Sequence, residues 1–282
     1  MRRLISLVIV LTLALLCSCA SVLENVRSLV DTPTARVVGV QLDGFDLEAV
    51  TLLFELEISN PYPAALPLVD LSYGLASGDT AFLSGNADVG GTIPARSKKT
   101  IPLPVRVAFL PTLKALSGFR PGQVVPYSAQ LSVSVTPPVG GQISVPFEHT
   151  GSFPVPAPPS ISVGKIRWSK VSLTEIAGNL HIGLKNRNDF GFDLDSLSWG
   201  LALAGKGVAS GVSTNATSLG SGATGELIIP IQLSPLELGT AAYRVLTGDG
   251  GGYTLSGAMK IGTPFGDLDI PYEKIGETVF QR

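Results

Sequence analysis

Cysteine and histidine are nearly missing from this chain, and the shortage narrows its chemistry before any pattern is read. The 282 residues hold two cysteines, Cys17 and Cys19, and two histidines, His149 and His181. Everything after Cys19 therefore lacks a thiol for a disulfide framework, a thiolate nucleophile or a zinc site. His149 follows Phe147-Glu148 with no spaced partner, and His181 falls on the outward phase of an alternating segment. There is no Gly-x-Ser-x-Gly elbow to present a nucleophile. The sequence thus supplies no catalytic residue, no metal ligand and no cofactor-binding residue, and the reading is of a protein that is not an enzyme. Charge is also scarce: 15% of residues are Asp, Glu, Lys or Arg, against about 25% in an average globular chain. No basic stripe exists to neutralise phosphates, which excludes nucleic acid as a partner.

Long apolar runs are short too. The longest, Leu4 to Leu16, follows Met1-Arg2-Arg3 and is 13 residues long, below the ~20 that a helix needs to cross a bilayer. A positive start followed by such a run reads as an export signal. Next comes Leu16-Cys17-Ser18-Cys19-Ala20, which resembles the lipobox of bacterial lipoproteins, with a small residue immediately before Cys19 and another after it. That resemblance implies removal of residues 1–18 and lipid on Cys19, making the membrane a partner through several acyl chains. Cys17 is disfavoured because Leu16 would stand where the cleavage site wants a small residue. Ala20 rather than Asp after the lipidated residue implies the periplasmic face of the outer membrane. Residues 19–35 are then a tether, and the chain beyond the signal carries 18 basic and 22 acidic residues, a formal charge of −4.

What the remainder has in abundance is turn residues between short apolar alternations, with 32 Gly and 21 Pro. It is also written twice. Leu68-Val69-Asp70-Leu71-Ser72-Tyr73-Gly74-Leu75-Ala76 returns as Leu194-Asp195-Ser196-Leu197-Ser198-Trp199-Gly200-Leu201-Ala202, displaced by 126 positions. The same displacement relates Asn60 to Asn186, Ser84-Gly85 to Ser210-Gly211, Pro104 to Pro230 and Tyr127 to Tyr253, and near the end Val145-Pro146-Phe147-Glu148 matches Ile270-Pro271-Tyr272-Glu273 at 125. A constant offset of this length marks tandem domains, placed at 36–151 and 160–279. The proline-rich residues 152–159 between them read as an extended, semi-rigid spacer.

Within each copy the apolar period is two. Phe54, Leu56 and Ile58 alternate with Glu55, Glu57 and Ser59, and Leu180, Ile182 and Leu184 with His181 and Lys185, as on strands with one wet face. Many such strands need a second sheet over their apolar faces. The expected fold is mainly β: two tandem antiparallel β-sandwich (immunoglobulin/fibronectin III-like) domains. Pro104 and Pro230, on the outward phase of equivalent strands, predict sheet edges. A short helix is expected in each copy, from Leu110-Pro111-Thr112 to Leu116, and after the capping signature Ser234-Pro235-Leu236-Glu237.

The polar candidates have plain readings. Asp193/Asp195 and Asp267/Asp269 put carboxylate pairs on one strand face, as a calcium site would, but without a loop of spaced oxygen ligands. Gly248-Asp249-Gly250-Gly251-Gly252 lacks the Lys-Ser/Thr and following helix of a phosphate loop. The repeat as a whole, with Asn60-Pro61-Tyr62 after the first alternating strand, then Ile93-Pro94-Ala95 and the strand Leu103 to Phe109, resembles the LEA type 2 family, also called the WHy (water stress and hypersensitive response) domain. Copy two keeps Asn186 but has Arg187 where the family prefers Pro. The resemblance implies a folded β-sandwich, an association with desiccation and other stress, and no catalytic residues. Asn60, Pro61 and Asn186 read as structural, since an Asn before Pro can bond its own turn while Pro fixes φ. The functional expectation is a membrane-anchored stress-protective or interaction module of the cell envelope that contacts envelope proteins or lipids. The alternatives are a carrier or sensor of lipid or another amphiphile and, third, an envelope hydrolase.

Overall fold

The structure is a computed structural model describing residues 31–164, 167–172, 174–214, 217–234 and 251–278. Residues 1–30, with the signal segment and Cys19, lie outside these, as does the second expected helix after Ser234. In copy one the strands β1 (Thr34–Phe45), β2 (Ala49–Ser59) and β6 (Lys98–Ala108) form one antiparallel sheet in the order β1-β2-β6. The facing sheet runs β4-β3-β7-β8, from β3 (Leu66–Ser77), β4 (Thr80–Ala87), β7 (Val124–Val135) and β8 (Ile143–Pro154), with the two-residue β5 (Thr92–Ile93) pairing β3. The alternation in sequence becomes alternation in burial: Leu52, Phe54, Leu56 and Ile58 of β2 are buried and meet Leu71, Leu75, Val125, Leu131 and Phe153 from the opposite sheet. Each such side chain, fully removed from water, contributes roughly 1.5–3 kcal/mol.

Copy two repeats the plan. The strands β9 (Ser160–Val163) and β10 (Arg167–Val171) together replace β1, both pairing with β11 (Ile176–Lys185), which pairs in turn with β15 (Thr224–Leu233). The second sheet runs β13-β12-β16-β17, from β12 (Phe192–Leu203), β13 (Lys206–Ser213), β16 (Gly251–Thr263) and β17 (Gly266–Thr278), with β14 (Thr217–Leu219) pairing β12. Between the paired residues Val135 and Ile143 copy one has seven residues, whereas between Ile261 and Leu268 copy two has six. That single deletion is why the repeat offset drops from 126 to 125.

Prolines sit where a missing N–H costs least. Pro102 and Pro104 point outward on β6, and Pro230 points outward on β15; both strands are sheet edges. The helix of copy one, α1 (Phe109–Ala115), begins one residue earlier than the sequence predicts. Its Pro111 occupies the first turn, where backbone donors have no helical partner anyway. Phe109 and Thr112 face inward, and the Thr112 hydroxyl donates to Ala108 O at 2.8 Å.

Two boundaries differ from the sequence reading. Strand β1 starts at Thr34, inside the expected tether, and β8 runs to Pro154, three residues into the expected spacer. The spacer is not one: Phe153, Val155 and Ala157 are buried, as are Pro154, Pro156 and Pro159. Alternating prolines do deny alternate donors, but the donors that remain, at Val155 and Ala157, are both used, by Gln123 O at 2.9 Å and by the Asn188 side chain at 2.7 Å. The segment is therefore built into the junction between the copies.

Candidate functional site

The three buried asparagines, Asn60, Asn186 and Asn188, sit at equivalent ends of the two sandwiches. Asn60, 1% exposed, follows the last residue of β2. Its amide nitrogen lies within hydrogen-bonding distance of three carbonyls, Ala64 O at 2.9 Å, Ile93 O at 3.1 Å and Pro94 O at 2.9 Å, and its Oδ1 accepts from Tyr62 N at 2.9 Å. One side chain thus joins the β2–β3 loop to the turn after β5. Asn186 repeats this, donating to Phe190 O, Leu219 O and Gly220 O at 2.7, 3.2 and 2.9 Å and accepting from Asn188 N at 2.9 Å. Every polar atom of the two carboxamides is engaged with the chain itself, the arrangement of a loop pin rather than a ligand contact. Pro61 stands between Asn60 and the donor Tyr62, inside that turn.

Copy two then adds a function to its loop. Asn188, at the place of Tyr62, is 2% exposed; its Oδ1 accepts from Ala157 N at 2.7 Å, and its Nδ2 donates to Ala157 O at 3.0 Å and to Asn186 Oδ1 at 2.9 Å. Asp189 N donates to Gly122 O at 2.7 Å, and Gly122 N donates to Val155 O at 2.6 Å. Gly122 has φ +100°, and a Cβ there would stand 2.3 Å from Arg187 O, so both the backbone conformation and the close approach demand glycine. Beside this latch Phe45 packs into the cores of both copies, Leu47 reaches the core of copy two, and Phe190 meets Phe265 edge-on at 5.1 Å. The copies are stacked head to tail, the far end of copy one against the asparagine end of copy two.

The remaining sequence candidates are spread out. His181 Nδ1 lies 2.8 Å from Glu226 Oε1 on the outer face of β11 and β15. His149 faces inward, edge-on to Phe54 at 6.1 Å. Asp193 accepts from the Ser218 hydroxyl. Among the described residues no group of three or more His, Cys, Asp or Glu is arranged to hold a metal. Of the glycine run, Gly251 and Gly252 open strand β16, and the three residues before them lie outside the described residues. Glu57, between Lys98 Nζ at 3.1 Å and Arg36 Nη2 at 2.9 Å, is held below the usual carboxylate range chiefly by those two partners, in an exposed cluster that salt screens. Burial pushes the Tyr272 phenol up to about 12, and its hydroxyl donates to Ser198 O at 2.9 Å.

Two features escaped the sequence reading. The latch could not be found there, because the partners that Asn188 and Gly122 meet across the junction, Ala157 and Arg187 O, face them only once the copies are stacked. The other had a visible signal: aromatic residues and glycines recur at matched offsets, and the structure registers them opposite each other, Tyr73 on Gly85, Trp199 on Gly211, Tyr127 on Gly151 and Tyr253 on Gly276. Each ring lies over the bare backbone of its partner, so a Cβ at Gly151 would stand 2.6 Å from the Tyr127 hydroxyl and one at Gly276 2.7 Å from that of Tyr253.

Fold and pins together define a tandem antiparallel β-sandwich protein whose buried polar groups serve its own loops and junction. The chain belongs to the late embryogenesis abundant (LEA) type 2 family, whose model matches residues 55–151 and 181–276, one stretch in each copy. It is similar to the desiccation-related protein PCC27-45 of Craterostigma plantagineum, with 25% identity over 127 residues, 45% of this chain and 84% of the relative. The late embryogenesis abundant protein Lea14-A of Gossypium hirsutum is 23% identical over 124 residues, covering 44% of this chain and 82% of that protein. The solution structure of a LEA protein of Arabidopsis thaliana aligns with 51% of this chain and 83% of its own, at 23% identity and a TM-score of 0.40.

Proposed function

We propose that this LEA type 2 protein is a non-enzymatic desiccation- and stress-response module, held on the envelope membrane by lipid on Cys19 and acting by contact with envelope proteins or lipids. The observation that carries the stress role is the match to desiccation-related relatives over about the length of one copy, here present twice. The lipobox-like Leu16-Cys17-Ser18-Cys19-Ala20 carries the anchor, and Ala20 the outer-membrane placement. A contact role suits a chain whose buried polar side chains Asn60, Asn186 and Asn188 are consumed in pinning loops and junction. The carrier reading needs room between the sheets, and that layer is filled by side chains such as Phe54, Leu75, Phe153, Leu180 and Leu255.

Deleting the protein should lower survival after drying and osmotic shock, and re-expression should restore it. Equal survival of deletion and parent strains would remove the stress role. For the anchor, mass spectrometry of the mature N-terminus should find acyl chains on Cys19, and Cys19→Ala should release a folded, soluble chain; a wild-type N-terminus without lipid would refute it.

A further inference from the structure

The asparagine end of copy two is covered by copy one, while the same end of copy one carries exposed apolar side chains. In copy two the tight turn Pro264-Phe265 is part of the junction: Phe265 meets Phe190, and a Cβ on Gly266 would come 3.7 Å from the Phe45 ring. In copy one the corresponding β7–β8 loop, Thr136 to Gln142, bears Val139 at 89% exposure, with Val69 and Ile143 at 41% and 37%. These three belong to one end of the sandwich. Ile143 pairs with Val135, which pairs with Leu68 at the start of β3, and the Thr136 amide donates to Pro67 O. Arg96 is exposed on a turn of the same end, its amide bonded to Tyr62 O.

The chain also enters at this end. Thr34 pairs with Ser59, the residue before Asn60, so β1 begins beside the asparagine pin and copy two is stacked on the opposite end. Cys19 lies 15 residues before Thr34, a reach of at most about 54 Å at ~3.3–3.6 Å per residue. A tether of that length, fixed to a membrane, delivers this end of copy one to the lipid surface first and at high effective concentration.

We infer that the β7–β8 loop end of copy one, led by Val139 and flanked by Val69, Ile143 and Arg96, docks on the lipid surface to which Cys19 is attached. The inference rests on the lipid-anchor reading. Small aliphatic side chains at a loop tip insert only into the headgroup and acyl boundary, a contact too weak to hold a free protein but sufficient for a tethered one. Docked this way, the two stacked sandwiches stand away from the bilayer with copy two outermost.

The test uses the full chain, processed and lipidated, reconstituted into phosphatidylethanolamine–phosphatidylglycerol vesicles. Once Cys17 is removed and Cys19 acylated, Val139→Cys supplies the one free thiol for an environment-sensitive fluorophore; Val212→Cys, 67% exposed on copy two, is the control. Docking predicts a blue shift, a gain of about twofold in emission and quenching by lipids carrying a shallow nitroxide for the Val139 label alone. A chain that does not float with the vesicles sinks the anchor reading and the docking with it. Co-flotation with a Val139 label as wet as the control overturns the docking and leaves the anchor standing. Shielding that grows with protein concentration without vesicles would show a second copy of this chain covering the face, and would overturn it as well.

Discussion

The two copies share an asparagine pin and differ two residues later. In copy one the residue after Pro61 is Tyr62, whose backbone closes the turn and whose ring leans on its own core. In copy two the loop reads Asn186-Arg187-Asn188, and the second asparagine turns outward to grip Ala157 of the preceding segment. The copy with Arg187 in place of proline is the one whose loop takes part in the junction.

That difference can be broken at its base. Asn186→Ala leaves three carbonyls and two donors of the Asn188 side without their partner, while Asn60→Ala orphans three carbonyls and one amide. Each buried group left unpaired costs ~1–3 kcal/mol, so at the low end of that range Asn60→Ala should lose about 4 kcal/mol and Asn186→Ala about 5 kcal/mol. Urea denaturation ranks them; an Asn60→Ala protein weaker than Asn186→Ala would mean that the second copy's loop is not the more heavily used. Gly122→Ala comes next. A methyl group facing Arg187 O at φ +100° should cost about 2–3 kcal/mol, the clash falling on the stacking of the copies and the backbone strain on the turn of copy one. Calorimetry should show one unfolding transition splitting into two, and protease should begin to cut within residues 152–159; an unsplit transition would speak against the latch.

The two copies also share a symmetric feature, which a second pair of variants tests. Gly151→Ala and Gly276→Ala push against Tyr127 and Tyr253 at nearly the same distance, so each should cost ~1–3 kcal/mol and the two should agree closely. A large gap between them in thermal melts would show that the duplicated ring-on-glycine pairs are not equivalent. The smallest effect is in alkali. Tyr272 stands where copy one has Phe147, and folding raises its pKa from 10.0 to about 12. Between those values the unfolded chain has released the proton that the folded one keeps, so stability falls as pH rises through that window. Tyr272→Phe should flatten this alkaline slope, and denaturation from neutral pH to pH 12 would measure it; an unchanged slope would place the titration elsewhere, with Tyr127 and Tyr253, whose pKa values burial also raises.

Much of each sandwich was legible in sequence because strand burial has a period of two, and the repeat let one copy check the other. Phe54, Leu56 and Ile58 could be placed on the core face without coordinates, and Pro104 and Pro230 on sheet edges, since a residue without an N–H is tolerated there. The segment 152–159 was misread because proline content reports local stiffness and says nothing about what packs around it. The same reason hid half of what Gly122 does: its positive φ belongs to the local turn Arg120-Pro121-Gly122-Gln123, but the approach of Arg187 O is a property of the stacked pair. Asn60 lay between these cases, since its structural role followed from the turn, whereas its bonds to Ile93 and Pro94 link strands 33 and 34 residues away.

Local chemistry and repetition were enough to establish a duplicated β-sandwich, because periodicity and turn residues are carried by the chain itself. Whether the copies are beads on a spacer or one stacked body was decided only in three dimensions. There the carboxamide of Asn188 meets the backbone of Ala157, and Phe45 enters two cores at once. Such contacts depend on surfaces that exist only after each sandwich has folded, and no pattern along the sequence encodes the distance between them.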